Sequence, residues 1–117
     1  MVYLIDDDES VRRALTLFLH SANIEHRTFG NAGDFLAGFK EGEKDLLILD
    51  LNLPGMKGID LLKEIKGKKE QITVIVVTAN DEPKSREYCR QFGVKAYLRK
   101  PVDAEALLDI ISYNISV

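Results

Sequence analysis

Cysteine occurs once, at Cys89, so the chain can form neither an internal disulfide nor a cysteine zinc cluster. A reducing, cytoplasmic setting fits that usage. Long apolar runs are missing too: the longest, such as residues 72–77, have the length of a strand rather than the ~20 residues of a membrane span. Residues 1–5 are followed by Asp6, Asp7 and Asp8, which does not read as a signal peptide. Excess positive charge is also lacking. The formal net charge of −3 argues against direct nucleic-acid binding, which usually needs a concentrated basic face. The local run Lys63, Lys66, Lys68 and Lys69 is interrupted by Glu64 and followed by Glu70, as expected of a solvated face and loop. There is no low-complexity linker, repeat or break in composition, and 117 residues suit one domain spanning 1–117.

What the chain does contain is alternation. Short apolar or β-branched runs at residues 2–5, 24–28, 46–49, 72–77 and 96–98 read as strands. Four of them are almost continuously apolar, the signature of parallel strands covered on both faces. The run 24–28 is more polar (Glu25, His26, Arg27), as suits a sheet edge. Helical patterns lie between. The first, residues 10–21, sets Val11, Ala14, Leu15, Phe18 and Ala22 on one stripe. Asn31 and Asp34 mark a second helix start, leading to Phe35, Leu36 and Phe39. Residues 58–66 would bury Ile59, Leu62 and Ile65 in a third. Pro83 opens a fourth that stops near Gly93, and a fifth begins near Asp103 and carries Leu107, Leu108 and Ile111. Five strands alternating with five helices predict a doubly wound α/β fold with a parallel sheet.

In such sheets the ligand site lies beyond the carboxyl ends of the strands. That rule selects residues 6–8, 50–52, 78–80 and 99–101. If the first and third strands are neighbours, Asp6, Asp7 and Asp50 converge, and like charges that close need a cation. Oxygen-only ligands without His or Cys point to Mg²⁺. Lys100 adds a compact positive charge suited to a carboxylate or phosphoryl oxygen, and Thr78 adds a hydroxyl. A carboxylate nucleophile, a divalent ion, a lysine and a hydroxyl are the parts that phosphoryl transfer to an aspartate requires. Each residue also has a plainer reading. Asp8 caps the first helix, Asp50 is a turn residue, Lys100 a surface lysine and Thr78 an ordinary strand former.

Taken in order, residues 5–9 (Ile-Asp-Asp-Asp-Glu), 49–56 (Leu-Asp-Leu-Asn-Leu-Pro-Gly-Met), 77–79 (Val-Thr-Ala) and 97–101 (Tyr-Leu-Arg-Lys-Pro) resemble the four signatures of receiver domains of two-component signalling. The resemblance spans essentially the whole chain. It implies a flavodoxin-like sheet of strand order 2-1-3-4-5 and a cytoplasmic phosphoacceptor module rather than a true enzyme. Asp50 would be the phosphoacceptor. Asp7 would bind Mg²⁺ directly, Asp6 largely through water, and the Asn52 main-chain carbonyl would be a further ligand. Lys100 would contact Asp50 and then the phosphoryl group, Thr78 and Tyr97 would form the switch pair, and the Lys100–Pro101 bond would be cis. The implied partners are a histidine kinase or histidine phosphotransfer domain and a downstream output domain or partner protein. Two positions depart from the family pattern: Lys95-Ala96 replaces the acidic pair of the winged-helix branch, and Val102 replaces the common phenylalanine. Both bear on that branch's paired-dimer mode and not on the phosphorylation chemistry.

Two other readings use the same residues. A receiver working without phosphorylation would have lost an acidic ligand, Asp50 or Lys100, and none is lost. An aspartyl-phosphate phosphatase would place its nucleophile after the first strand, where Asp6 and Asp8 have the spacing, but no Thr follows and no cap fits in 117 residues. A flavin site would need a Ser/Thr/Gly-rich loop after the first strand. Val11, Ala14 and Leu17 line one edge of the first helix beside the acidic residues, an apolar edge suited to a partner's helical phosphohistidine domain. Cys89, His20 and His26 receive no role.

Overall fold

In the computed structural model, residues 1–39, 45–67, 72–79 and 82–115 are described. Ten elements alternate along them: β1 (Val2–Ile5), α1 (Glu9–Ser21), β2 (His26–Phe29), α2 (Ala32–Gly38), β3 (Leu46–Asp50), α3 (Gly58–Gly67), β4 (Thr73–Thr78), α4 (Pro83–Gln91), β5 (Ala96–Arg99) and α5 (Ala104–Ile115). All strand pairs are parallel, in the order β2-β1-β3-β4-β5. This is the doubly wound order expected, with the polar second strand at an edge. No helix among the described residues is long and apolar enough to cross a membrane.

Because side chains alternate across a strand, each central strand feeds two cores. Tyr3, Ile5, Leu47, Leu49, Val74 and Val76 face one layer and pack with Ala32 and Phe35 of α2, Leu61, Leu62 and Ile65 of α3, and Cys89 of α4. Val2, Leu4, Leu46, Ile48, Ile75 and Val77 face the other, closed by Leu19 of α1 and by Leu107 and Ile111 of α5. Each fully buried Leu or Ile contributes about 1.5–3 kcal/mol, so the central strands are the most firmly held part of the molecule.

Several local expectations shift. The second strand runs over His26–Phe29 instead of residues 24–28. Asn23 turns the chain with φ 56° and the Ile24 amide donates to the Leu19 carbonyl at 3.0 Å, which ties Ile24 to the end of α1. On α1 the buried residue is Leu19, while Ala14, expected on the inward stripe, is exposed. In α3 the inward face includes Leu61, and Ile59 is only partly buried. Phe39 lies one residue past the end of α2 as its C-cap.

The helix starts follow the sequence closely. Asp8 is the N-cap of α1, accepting from the Ser10 and Val11 amides, and Asn31 caps α2 by accepting from the Asp34 amide. Pro83 sits in the first turn of α4, and Gly93, after that helix, has φ +75°. Lys63 and Glu64 are exposed as expected, but Lys63 lies over the Tyr88 ring at 5.2 Å and Lys66 over Phe92 at 5.3 Å. These α3 lysines therefore cover an aromatic face of α4. Lys68, Lys69 and Glu70 of that run, and Asn80 of the strand-end shortlist, lie outside the described residues.

Candidate phosphoacceptor and metal pocket

Sheet register decides what meets at the carboxyl ends. Ile5 pairs with Leu49, so Asp6 emerges beside Asp50, the last residue of β3. Asp50 pairs with Val77, and Thr78 pairs with Arg99, which puts Lys100 just beyond the sheet on the far side of β4. The Lys100 amide donates to the Thr78 carbonyl at 2.9 Å, and the Lys100–Pro101 bond is cis. With its main chain held there, the Lys100 side chain crosses the strand ends to the acids.

Lys100 Nζ lies 2.8 Å from Asp6 Oδ2 and 3.0 Å from Asp50 Oδ2. Asp50 was the expected partner; Asp6 is a second and shorter one. The remaining carboxylate oxygens are held by main chain: the Asn52 amide donates to Asp50 Oδ1 at 3.0 Å, and the Asp8 amide to Asp6 Oδ1 at 2.9 Å. Asp6 and Asp50 are 2% and 4% exposed, whereas Asp7 is exposed. One ligand oxygen from each of the three aspartates falls within 4.8 Å of the others. Three carboxylates against one ammonium leave the pocket short of positive charge, and such hard oxygen donors suit a hard divalent cation. The donor set fits a metal ion.

The electrostatics agree with a pocket poised for a cation. Burial pushes the Asp50 carboxyl above the usual carboxylate range, opposed by the Asn52 amide and Lys100 and assisted by the charge of Asp6. For Lys100 burial acts downward, but hydrogen bonds to Asp6 and Asp50 and the charges of both together hold it above its ordinary value. The lysine therefore stays an ammonium, and burial makes the charged form of Asp50 costly to hold.

Thr78 is fully buried, and its Oγ1 lies 3.4 Å from Asn52 Nδ2. Tyr97 stands on the neighbouring strand with its hydroxyl oxygen buried and its ring 5.3 Å beneath the Arg86 guanidinium. It packs against the core layer of α2, α3 and α4 rather than within the acidic pocket. Asn52, exposed, offers its amide to Asp50 and its side chain to Thr78. Cys89 is buried in the core, and His20 and His26 line a depression at the opposite, amino end of the sheet.

Two residues near the pocket escaped the sequence reading. Arg12 Nη1 donates to the Asp6 main-chain carbonyl at 2.7 Å. Gly58 begins α3 so near the end of β3 that a Cβ there would lie 2.9 Å from the Asp50 carbonyl oxygen. Both act on main chain, which side-chain chemistry along the sequence does not signal. A glycine opening a helix directly after a motif loop was the available hint for the second.

The family model for the response regulator receiver domain matches residues 2–112. The DNA-binding transcriptional regulator NtrC of Salmonella typhimurium is 34% identical over 116 residues, which cover 99% of this chain and 25% of that protein. The chain thus spans about a quarter of the length of that relative. Among solved structures, the response regulator StyR superposes with a TM-score of 0.90 at 33% identity, over 97% of this chain and 58% of that one. A CheY-like receiver domain protein of Methanospirillum hungatei gives 0.87 at 25% identity, over 97% and 91%.

Proposed function

The chain belongs to the response regulator receiver domain family of two-component signalling, and from that footing we propose that it accepts a phosphoryl group on Asp50 with the help of Mg²⁺. The observation that carries the proposal is the single ammonium of Lys100 bridging two buried carboxylates, Asp6 and Asp50, beside the exposed Asp7. The donor is the phosphohistidine of a histidine kinase or histidine phosphotransfer domain, or a small acyl phosphate. An Asp50 oxygen attacks phosphorus, the bond to the donor's imidazole nitrogen or acyl oxygen breaks, and an aspartyl phosphate results. Asp7, Asp50 and the Asn52 carbonyl would hold the ion, with Asp6 acting through water; bound there, Mg²⁺ supplies neutralisation of the charge gathering on the phosphoryl oxygens. Lys100 orients Asp50 beforehand and follows the phosphoryl group afterwards. Thr78 donates its hydroxyl to a phosphoryl oxygen, and Tyr97 reports that shift at the surface of α4, β5 and α5. The activity is self-modification, not turnover of a free substrate.

We read residues 1–117 as one receiver unit acting in the cytoplasm, relaying its state to an output domain or partner protein and making no nucleic-acid contact itself. Leu17 of α1, 65% exposed, supports a kinase-facing edge. Leu17→Glu should slow transfer from the cognate kinase and leave labelling by acetyl phosphate unchanged.

The central test is intact-mass analysis after incubation with Mg²⁺ and acetyl phosphate. Wild type should gain one base-labile phosphoryl group and Asp50→Asn none; stoichiometric labelling of Asp50→Asn would sink the assignment. Switching is tested by NMR with beryllofluoride, whose shift changes should reach from Asp50 into residues 84–107. A coupling of about 1–3 kcal/mol, roughly 5- to 150-fold in population, is enough for such a switch. Thr78→Ala should accept phosphate and propagate the shifts poorly.

A further inference from the structure

A cation stands behind the acidic pocket without touching any of its carboxylates. Arg12, in the first turns of α1, is half-buried and donates from Nη1 to the main-chain carbonyl of Asp6 at 2.7 Å. Its guanidinium fills the space over Gly30, the residue after β2: a Cβ at Gly30 would meet Arg12 Nη1 at 3.3 Å and Cζ at 3.8 Å. The other polar atoms of Asp6 are also engaged. Its amide donates to the Phe29 carbonyl at 3.1 Å, Oδ1 accepts from the Asp8 amide at 2.9 Å, and Oδ2 accepts from Lys100 at 2.8 Å. Only the carbonyl depends on Arg12. That carbonyl belongs to the planar peptide joining Asp6 to Asp7, so holding it fixes the direction in which the chain enters Asp7.

We propose that Arg12 is a positioning residue for the divalent cation: by clamping the Asp6–Asp7 peptide it presents the Asp7 carboxylate to the pocket, and Gly30 is the space that admits the clamp. The inference rests on the reading of Asp6, Asp7 and Asp50 as a Mg²⁺ site. Charge alone predicts the opposite sign, because a guanidinium near a cation site repels the cation. An Arg that acted only as a charge would weaken Mg²⁺ binding, and its removal would tighten it. A clamp that orients a ligand works the other way, and partners one step removed from a metal typically govern 10- to 100-fold in affinity.

The test is Mg²⁺ titration by calorimetry on the full chain at fixed ionic strength. Arg12→Ala should bind Mg²⁺ about tenfold more weakly than wild type. Arg12→Lys should recover part of the loss. Gly30→Ala changes no charge but crowds the guanidinium, and should cause a smaller loss that disappears in the Arg12→Ala background. In the metal-free protein, the Asp7 amide resonance should move in Arg12→Ala, because its peptide loses the carbonyl hydrogen bond. Thermal melts identify any variant that fails to fold, in which case Arg12→Lys and Gly30→Ala carry the comparison. Mg²⁺ affinity equal to or tighter than wild type in Arg12→Ala overturns the clamp while leaving the metal site intact. Absence of Mg²⁺ binding by wild type at millimolar concentration overturns the metal reading itself, and the clamp with it.

Discussion

Replacing Gly58 with alanine tests how tightly α3 is set against the strand that carries Asp50. The added Cβ would lie 2.7 Å from Leu51 Cα, 2.9 Å from the Asp50 carbonyl oxygen and 2.9 Å from Leu51 Cδ2. Carbon atoms attract at about 3.5–4.0 Å, so the helix start must retreat by most of an ångström. Two of the three atoms are main chain and cannot rotate away. The retreat also lengthens the 3.2 Å hydrogen bond from the Gly58 amide to the Leu51 carbonyl. Overpacking of this kind costs about 1–3 kcal/mol. Against it stands the better helix propensity of alanine, at most about 1 kcal/mol and less in a first turn. The clash wins, and a net loss of about 1–2 kcal/mol should lower Tm by roughly 5–10 °C in a domain of this size. Urea unfolding should show the same loss as a lower midpoint with an unchanged slope. Gly67, at the other end of α3, has no described atom within 4 Å of its added Cβ, so Gly67→Ala should be neutral or mildly stabilising. A Gly58→Ala variant as stable as wild type would refute the reasoning, since β3 and α3 would then have room that the distances deny.

Three more perturbations address the pocket and core. Mg²⁺ at a hundred times its dissociation constant should stabilise wild type by about 2.7 kcal/mol and raise Tm, whereas Asp7→Ala should melt at the same temperature in Mg²⁺ and in EDTA. Asp50 has a folded-state pKa raised chiefly by burial, so its stabilising contribution is present below the unfolded value and lost as pH rises through the folded one. In metal-free buffer Asp50→Asn should therefore unfold at higher urea than wild type at pH 7, and the gap should close as pH falls through the carboxylate range. Burial pushes the Cys89 thiol up to about 11, so at pH 8 it should react with an aromatic disulfide reagent only at the rate of unfolding; burst labelling of native protein would contradict the packing.

The parts of this molecule legible in sequence are those where one physical rule acts along the chain. Parallel strands buried on both faces must be apolar throughout, which is why Val2–Ile5, Leu46–Asp50 and Thr73–Thr78 stand out. The doubly wound topology then forces strand ends together, so that four short motifs far apart in sequence become one pocket. The rest depends on how elements sit against each other. Leu19 and not Ala14 is buried on α1 because the sheet selects one of two overlapping apolar stripes, and periodicity cannot choose between them. Arg12 and Gly58 were silent because they act on main chain, where any residue type could have stood on the receiving side. Lys100 shows the same limit in a milder form. Its type and place at a strand end predicted a carboxylate partner, but only the register Ile5–Leu49 makes it two. An ammonium shared between Asp6 and Asp50 cannot follow an incoming phosphoryl group without loosening its hold on Asp6. If Asp50 accepts a phosphoryl group as proposed, the change at β3 would thereby be felt at the end of β1 as well as at β5, through the ammonium that Asp6 and Asp50 share.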